Sequence, residues 1–217
     1  MIKQRNGTVC GMASTFGGRP SRFDPVTGPS RLRAVVLPGV AYSPDAPLLE
    51  LGRLALLQHG WTVQQVWWDG PGADDAAEPA AWVRDQLATV VAAETAGQPP
   101  LERLLVMAKS LGTLGATSQT AMDAAIWLTP LLTDADCAGA IERRALDGVP
   151  QLLVGGTDDE VWSSRTAHGL GCEVLEIPGA DHGLAIRGDA VRTAQVLVEV
   201  TAAIDRFLGT LTGRRDP

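Results

Sequence analysis

The feature that most constrains this chain is the alternation that begins at residue 32. Short apolar, β-branched segments take turns with longer stretches whose apolar residues recur at helical spacing. Strands are expected at 32–37, 61–68, 104–108, 125–128, 151–155 and 173–177, with helices at 47–59, 78–96, 111–123, 134–146, 163–170 and 189–208. Each apolar run is too continuous for a strand with one wet face. Strands of this kind belong to a parallel sheet covered by helices on both sides, which makes the chain an α/β protein. Upstream, 8–16 reads as a weak edge strand and 17–30, rich in Gly, Pro, Ser and Arg, as a surface loop. The 217 residues suit one domain, with 1–30 as edge strand and loop and 209–217 as a C-terminal tail.

Composition narrows the partners. A net charge of −7 disfavours contact with phosphate backbones, so no nucleic-acid partner is expected. No apolar run is long enough to span a bilayer, and none follows the basic N-terminus as a signal peptide requires, so no membrane partner is expected and a cytoplasmic location is. Cys10, Cys137 and Cys172 are odd in number and widely spaced. They form neither a metal-type pair nor a disulfide framework and read as small buried or half-buried side chains. No metal and no cofactor is called for.

In a parallel α/β sheet the chemistry gathers at the carboxyl ends of the strands. After the strand 104–108 the chain reads Ala108-Lys109-Ser110-Leu111-Gly112. A serine on a sharp strand-to-helix turn needs small residues two places either side, because strand and helix crowd there; this is the logic of Gly-x-Ser-x-Gly. Ala108 replaces the first glycine. Lys109 is expected to extend away from the turn. A serine flanked by small residues also suits an ordinary helix cap, so the flanking segments must decide.

They favour a nucleophile. Of three histidines, His59 suits a helix C-terminus and His168 a surface helix, whereas His182 sits in Gly179-Ala180-Asp181-His182-Gly183, just after the last strand. After the strand 151–155 comes Gly155-Gly156-Thr157-Asp158-Asp159. Read as Gly-Thr-x-Asp from Gly156, the acid is Asp159; read as Gly-x-x-Asp-x-x-Val from Gly155, it is Asp158. The first register is preferred. The order Ser, Asp, His fits a triad in which His182 takes the Ser110 proton and the carboxylate fixes the imidazole. An oxyanion hole is expected from the Val40 and Leu111 N–H groups. Gly39 would allow the tight turn at Val40, and Tyr42 would line the mouth of the site.

Taken together, Leu-Pro-Gly-x-x-Tyr before Pro47-Leu48-Leu49, Lys-Ser-Leu-Gly, Leu-Thr-Pro-Leu-Leu, Gly-Gly-Thr-x-Asp-x-x-Trp and Ala-Asp-His-Gly resemble small bacterial α/β-hydrolases over residues 32–208. The resemblance implies the α/β-hydrolase fold and a Ser110, Asp159, His182 triad; it does not imply a substrate. Between Leu128 and Gln151 there is room for one loop and one helix, so no cap domain is expected and the site should be an open cleft. Trp127, Leu128, Pro130, Leu131 and Trp162 could wall it, while Trp67 and Trp68 point to opposite faces. The expected reaction is hydrolysis of a small-molecule carboxylic ester. Thioester hydrolysis, acyl transfer with the same residues, or a non-catalytic ligand-binding member are the alternatives.

Overall fold

The computed structural model describes residues 21–68, 78–95 and 100–212. They form a seven-stranded sheet: β1 (Ser21–Phe23), β2 (Leu32–Leu37), β3 (Thr62–Gln65), β4 (Arg103–Lys109), β5 (Ala124–Leu128), β6 (Gln151–Gly156) and β7 (Glu173–Ile177). The spatial order is β1-β3-β2-β4-β5-β6-β7. All neighbours are parallel except β1, which runs antiparallel to β3. The helices are α1 (Pro47–Gln58), α2 (Pro79–Thr95), α3 (Ala135–Leu146), α4 (Ser164–Gly169) and α5 (Ala190–Thr212), with a 3-10 helix at Ser110–Thr117.

The pleat explains how continuous apolar runs serve two faces. Along β2 and β4, Ala34, Val36, Leu105 and Met107 face a core closed by α1 and α5. Their alternate neighbours Val35, Leu37, Val106 and Ala108 face a second core closed by α2, α3 and the 3-10 helix. Both layers bury their apolar side chains in close-packed clusters, so the strand ends are held rigidly and the connections at the carboxyl edge inherit that rigidity.

Three expectations are corrected. The segment 17–30 is not all loop, because Ser21–Phe23 pairs with β3 as a short edge strand. There Phe23 packs on the core and the Arg53 guanidinium lies 4.2 Å from its ring centroid. Tertiary pairing overrides the local Gly/Pro signal. The weak strand expected at 8–16 lies outside the described residues. The helix expected at 111–123 is a 3-10 helix ending at Thr117, where Thr113 and Thr117 each donate a side-chain bond to the carbonyl three residues back. Lastly, α5 runs to Thr212, four residues beyond the expected end.

Candidate active site

The nucleophile turn is built by backbone packing. Ser110 follows directly on β4 and has φ 50, a left-handed conformation that costs a non-glycine residue about 1–3 kcal/mol. The turn is held from below: a Cβ on Gly112 would stand 2.7 Å from the Leu37 carbonyl oxygen and 2.8 Å from that of Pro38. Only glycine lets the 3-10 helix sit this close to the end of β2. Ala108, at the looser position, is fully buried and tolerates its methyl group.

The loop after β2 reaches the same turn. Gly39 bridges to Tyr42, and a Cβ on Gly39 would lie 3.2 Å from the Ser110 Cβ. Val40, in that turn, turns its side chain to solvent, whereas the Leu111 side chain is buried. The Tyr42 hydroxyl accepts from the Leu48 N–H at the start of α1 (3.0 Å), and burial raises its pKa.

The acid and the imidazole come from the adjacent ends of β6 and β7. A Cβ on Gly156 would lie 2.1 Å from the Ala180 carbonyl oxygen, so this glycine brings the two loops together. The Asp158 N–H donates to that same Ala180 oxygen (3.0 Å). Asp158 and Glu160 are exposed, and Asp159 is the aspartate turned inward. Its Oδ1 accepts from the Val161 N–H (3.0 Å) and its Oδ2 lies 2.8 Å from His182 Nδ1. His182 Nε2 is 2.7 Å from Ser110 Oγ. With Nδ1–H donating to a carboxylate, Nε2 is left as an acceptor for the serine hydroxyl.

Of the expected site residues, Ser110, Asp159, His182, Gly39 and Tyr42 meet in one place. The other two histidines lie apart from it: His59 caps α1 and pairs with Asp205 of α5 (2.8 Å), and His168 is exposed on α4. The tryptophans require correction. Trp127 is fully buried and its indole donates to Gln151 Oε1 (2.8 Å), so it is core and not cleft wall. Trp162 is 7% exposed and lies over Gly155, where a Cβ would meet its ring at 2.1 Å. Its indole donates to Glu176 Oε2 (2.7 Å), which makes it a prop for the acid loop. Both tryptophans follow a strand's pleat or a close glycine, which local sequence does not reveal.

Lys109 also departs from expectation. It is 2% exposed, and its Nζ donates to Thr129 Oγ1 (3.2 Å) and to the His182 carbonyl (3.0 Å). Burial pushes its pKa down to about 8, opposed by the charges of Asp159 and Asp181. Cys137, by contrast, is a buried thiol donating to the Thr113 carbonyl, and burial pushes it up to about 12, so it stays protonated.

Two open clefts flank the Ser110–His182 pair. One, of about 300 Å³, is lined by the Pro38–Pro44 loop with Trp67 and Trp68. Trp68 donates to the Pro38 carbonyl (3.1 Å) and packs against Trp82 at 4.7 Å between ring centroids. The other, of about 360 Å³, has an acidic lining of Asp158, Glu160 and Asp181 beside His182. A third cleft, of about 410 Å³, lies between α1 and α5 and contains none of these groups. Among the described residues no cluster of His, Cys, Asp or Glu could hold a metal, and no helix is long and apolar enough to cross a membrane.

No protein-family model matches the sequence, and no curated protein matches it as a relative. Solved structures do match in shape. Est1E from Butyrivibrio proteoclasticus, with ferulic acid bound, superposes with TM-score 0.66 at 15% identity, covering 88% of this chain and 93% of its own. A Xanthomonas campestris α/β serine hydrolase without a lid gives 0.63 at 15%, covering 89% and 94%. The propionate-bound esterase Est2 of Thermogutta terrifontis gives 0.62 at 18%, covering 91% and 90%. Sheet order, strand directions and these neighbours agree: the chain has the α/β-hydrolase fold, in a form with no domain inserted between β5 and β6.

Proposed function

We propose that this protein is a serine hydrolase that cleaves small to medium carboxylic esters through an acyl-enzyme on Ser110. One observation carries the reading: the unbroken relay from Ser110 Oγ through the His182 ring to Asp159 Oδ2, at 2.7 and 2.8 Å, on a serine held at φ 50. A serine used only as a helix cap needs neither the strained backbone nor the imidazole.

In this reading His182 Nε2 removes the hydroxyl proton as Ser110 Oγ attacks the ester carbonyl carbon. Asp159 keeps the ring in the required tautomer and stabilises the imidazolium, and the Val40 and Leu111 N–H groups receive the oxyanion. The imidazolium then protonates the departing alkoxide, leaving Ser110 acylated. Water, deprotonated by the same nitrogen, attacks the acyl carbon, and the serine leaves with the proton. The products are a carboxylic acid and an alcohol.

The acyl preference follows from the shape of the clefts. A methylene contributes about 0.8 kcal/mol when fully buried, and an open cleft buries only part of each. Short acyl groups are therefore the expected substrates. A series of p-nitrophenyl esters of rising chain length tests this. Turnover should fall as the chain lengthens, and Ser110→Ala should reduce every member to the uncatalysed rate. A folded wild type inert towards the whole series, or one that prefers long chains, contradicts the proposal.

A further inference from the structure

Lys109 is a buried charge beside the nucleophile that the reaction above does not use. An ammonium has three donors. Two of its N–H groups go to Thr129 Oγ1 and the His182 carbonyl, and the nitrogen also stands over the Tyr42 ring, 4.7 Å from its centroid. These partners come from three separate connections: Tyr42 from the loop after β2, Thr129 from the end of β5, and His182 from the loop after β7. Lys109 itself ends β4, one residue before Ser110.

Backbone strain gathers at the same points. Among the described residues the non-glycine positions with positive φ are Ser110, Thr129 and Leu184, at 50, 45 and 57°. One adjoins Lys109, one accepts its hydrogen bond, and one lies two residues past His182. Conformations of this kind persist where the surroundings over-determine them. The imidazole needs such a hold, because the His182 side chain is 40% exposed and packing alone does not fix it. Its ring nitrogens are engaged by Ser110 and Asp159, and the Lys109 bond to its carbonyl adds a restraint through the backbone.

We propose that Lys109 is a positioning residue, whose ammonium clamps the His182 backbone to Thr129 at the end of β5 and to Tyr42 in the loop after β2, and holds the imidazole in line between Ser110 and Asp159. The role in turnover rests on the serine-hydrolase reading; the clamp itself does not. The groups facing the ammonium are Asp159 after β6, Asp181 and the His182 carbonyl after β7, Tyr42 after β2 and the uncharged Thr129 after β5. With a pKa of about 8, the clamp loses its charge as pH rises through that value. Charge-assisted bonds are the stronger ones, so turnover declines on that alkaline side.

The test compares wild type, Lys109→Met, Lys109→Arg and Thr129→Val. One readout is kcat and KM for a short ester across the neutral to alkaline range. The other is the far-downfield proton resonance of the imidazole N–H bonded to Asp159. Lys109→Met should lower kcat about 10- to 100-fold with KM within about twofold, as for a small misplacement of a reacting group. It should also lose the alkaline decline and broaden the resonance. Lys109→Arg, which stays charged, should recover most of kcat and the resonance and move the decline to higher pH. Thr129→Val should weaken both readouts by a smaller factor. If the wild type hydrolyses no ester but its resonance depends on Lys109, the clamp stands and the hydrolase reading falls. If esters are hydrolysed but folded Lys109→Met keeps wild-type kcat, pH profile and resonance, the clamp is wrong. If Lys109→Met does not fold, an unchanged resonance and kcat in Thr129→Val together with no alkaline decline in the wild type overturn it equally.

Discussion

The nucleophile turn and the histidine loop lie side by side at the same sheet edge and are held in opposite ways. Ser110 is fixed from beneath by backbone, with Gly112 pressed onto the Leu37 and Pro38 carbonyls and Gly39 onto the Ser110 Cβ. His182 is fixed by side chains reaching across: Lys109 on its carbonyl, Asp159 on its ring, and Asp181 Oδ1 on the N–H groups of Gly183 (2.8 Å) and Ala185 (3.0 Å). One region is a rigid platform, and the other is a loop whose geometry depends on a few polar contacts. The platform should fail by steric overlap, while the loop should fail by loss of a charge or a donor.

The largest difference is expected at the acid. Asp159→Asn should lower turnover by about four orders of magnitude, since an amide favours the wrong imidazole tautomer. Asp158→Asn, on an exposed side chain, should stay within a few-fold of wild type, because the bond that Asp158 gives to the Ala180 carbonyl comes from its backbone N–H. Equal losses, measured as kcat on the same ester, would mean that the loop conformation matters more than the Asp159 carboxylate.

The next contrast is steric. Gly112→Ala places a Cβ against two backbone carbonyl oxygens, Leu37 at the end of β2 and Pro38 just after it, so it should destabilise by about 1–3 kcal/mol, as overpacking does. Gly183→Ala meets only the Asp181 Oδ1, at 3.2 Å, the end of a side chain that can shift. Its effect on the thermal midpoint should be much smaller. If the two substitutions cost the same, the division into platform and loop is wrong.

The turn was legible in the sequence because its determinants are local. A strand, a serine between small residues and a glycine two places on are all visible within six positions, and the strand ends at Leu37, Leu128 and Ile177 read directly from apolar runs. The clamp was not legible. That Lys109 points inward is decided by Tyr42, Thr129 and His182, which lie 67, 20 and 73 positions away along the chain. The same holds for Trp127, whose partner Gln151 belongs to the neighbouring strand, and for Trp162, seated on Gly155. Asp158 and Asp159 could be ordered by motif alone, but burial of the second against His182 is a property of the folded loop pair.

A smaller effect, in stability, isolates the buried ammonium. The folded pKa of Lys109, about 8, lies below the ordinary lysine value, so between the two the unfolded chain binds more protons. The cost of burying the charge is therefore fully present below pH 8 and is relieved as pH rises beyond it. For this group the gain between neutral pH and pH 9 is about 1 kcal/mol. Cys137 and Cys172, pushed up to about 12 and about 11, act in the opposite sense, because their thiols ionise first in the unfolded chain. The comparison is thus between proteins: from neutral to pH 9, Lys109→Met should lose about 1 kcal/mol more stability than wild type in denaturant titrations. Parallel pH dependences would argue that the lysine is not held as a buried cation.

The most direct measurement of the central claim is peptide mapping by mass spectrometry after treatment with a fluorophosphonate. The phosphorus should be found bonded to Ser110 Oγ with loss of fluoride, and the adduct should form slowly in Asp159→Asn and not at all in Ser110→Ala. A well-folded wild type that takes up no phosphonate, or takes it up on another residue, would contradict the assignment of Ser110 as nucleophile.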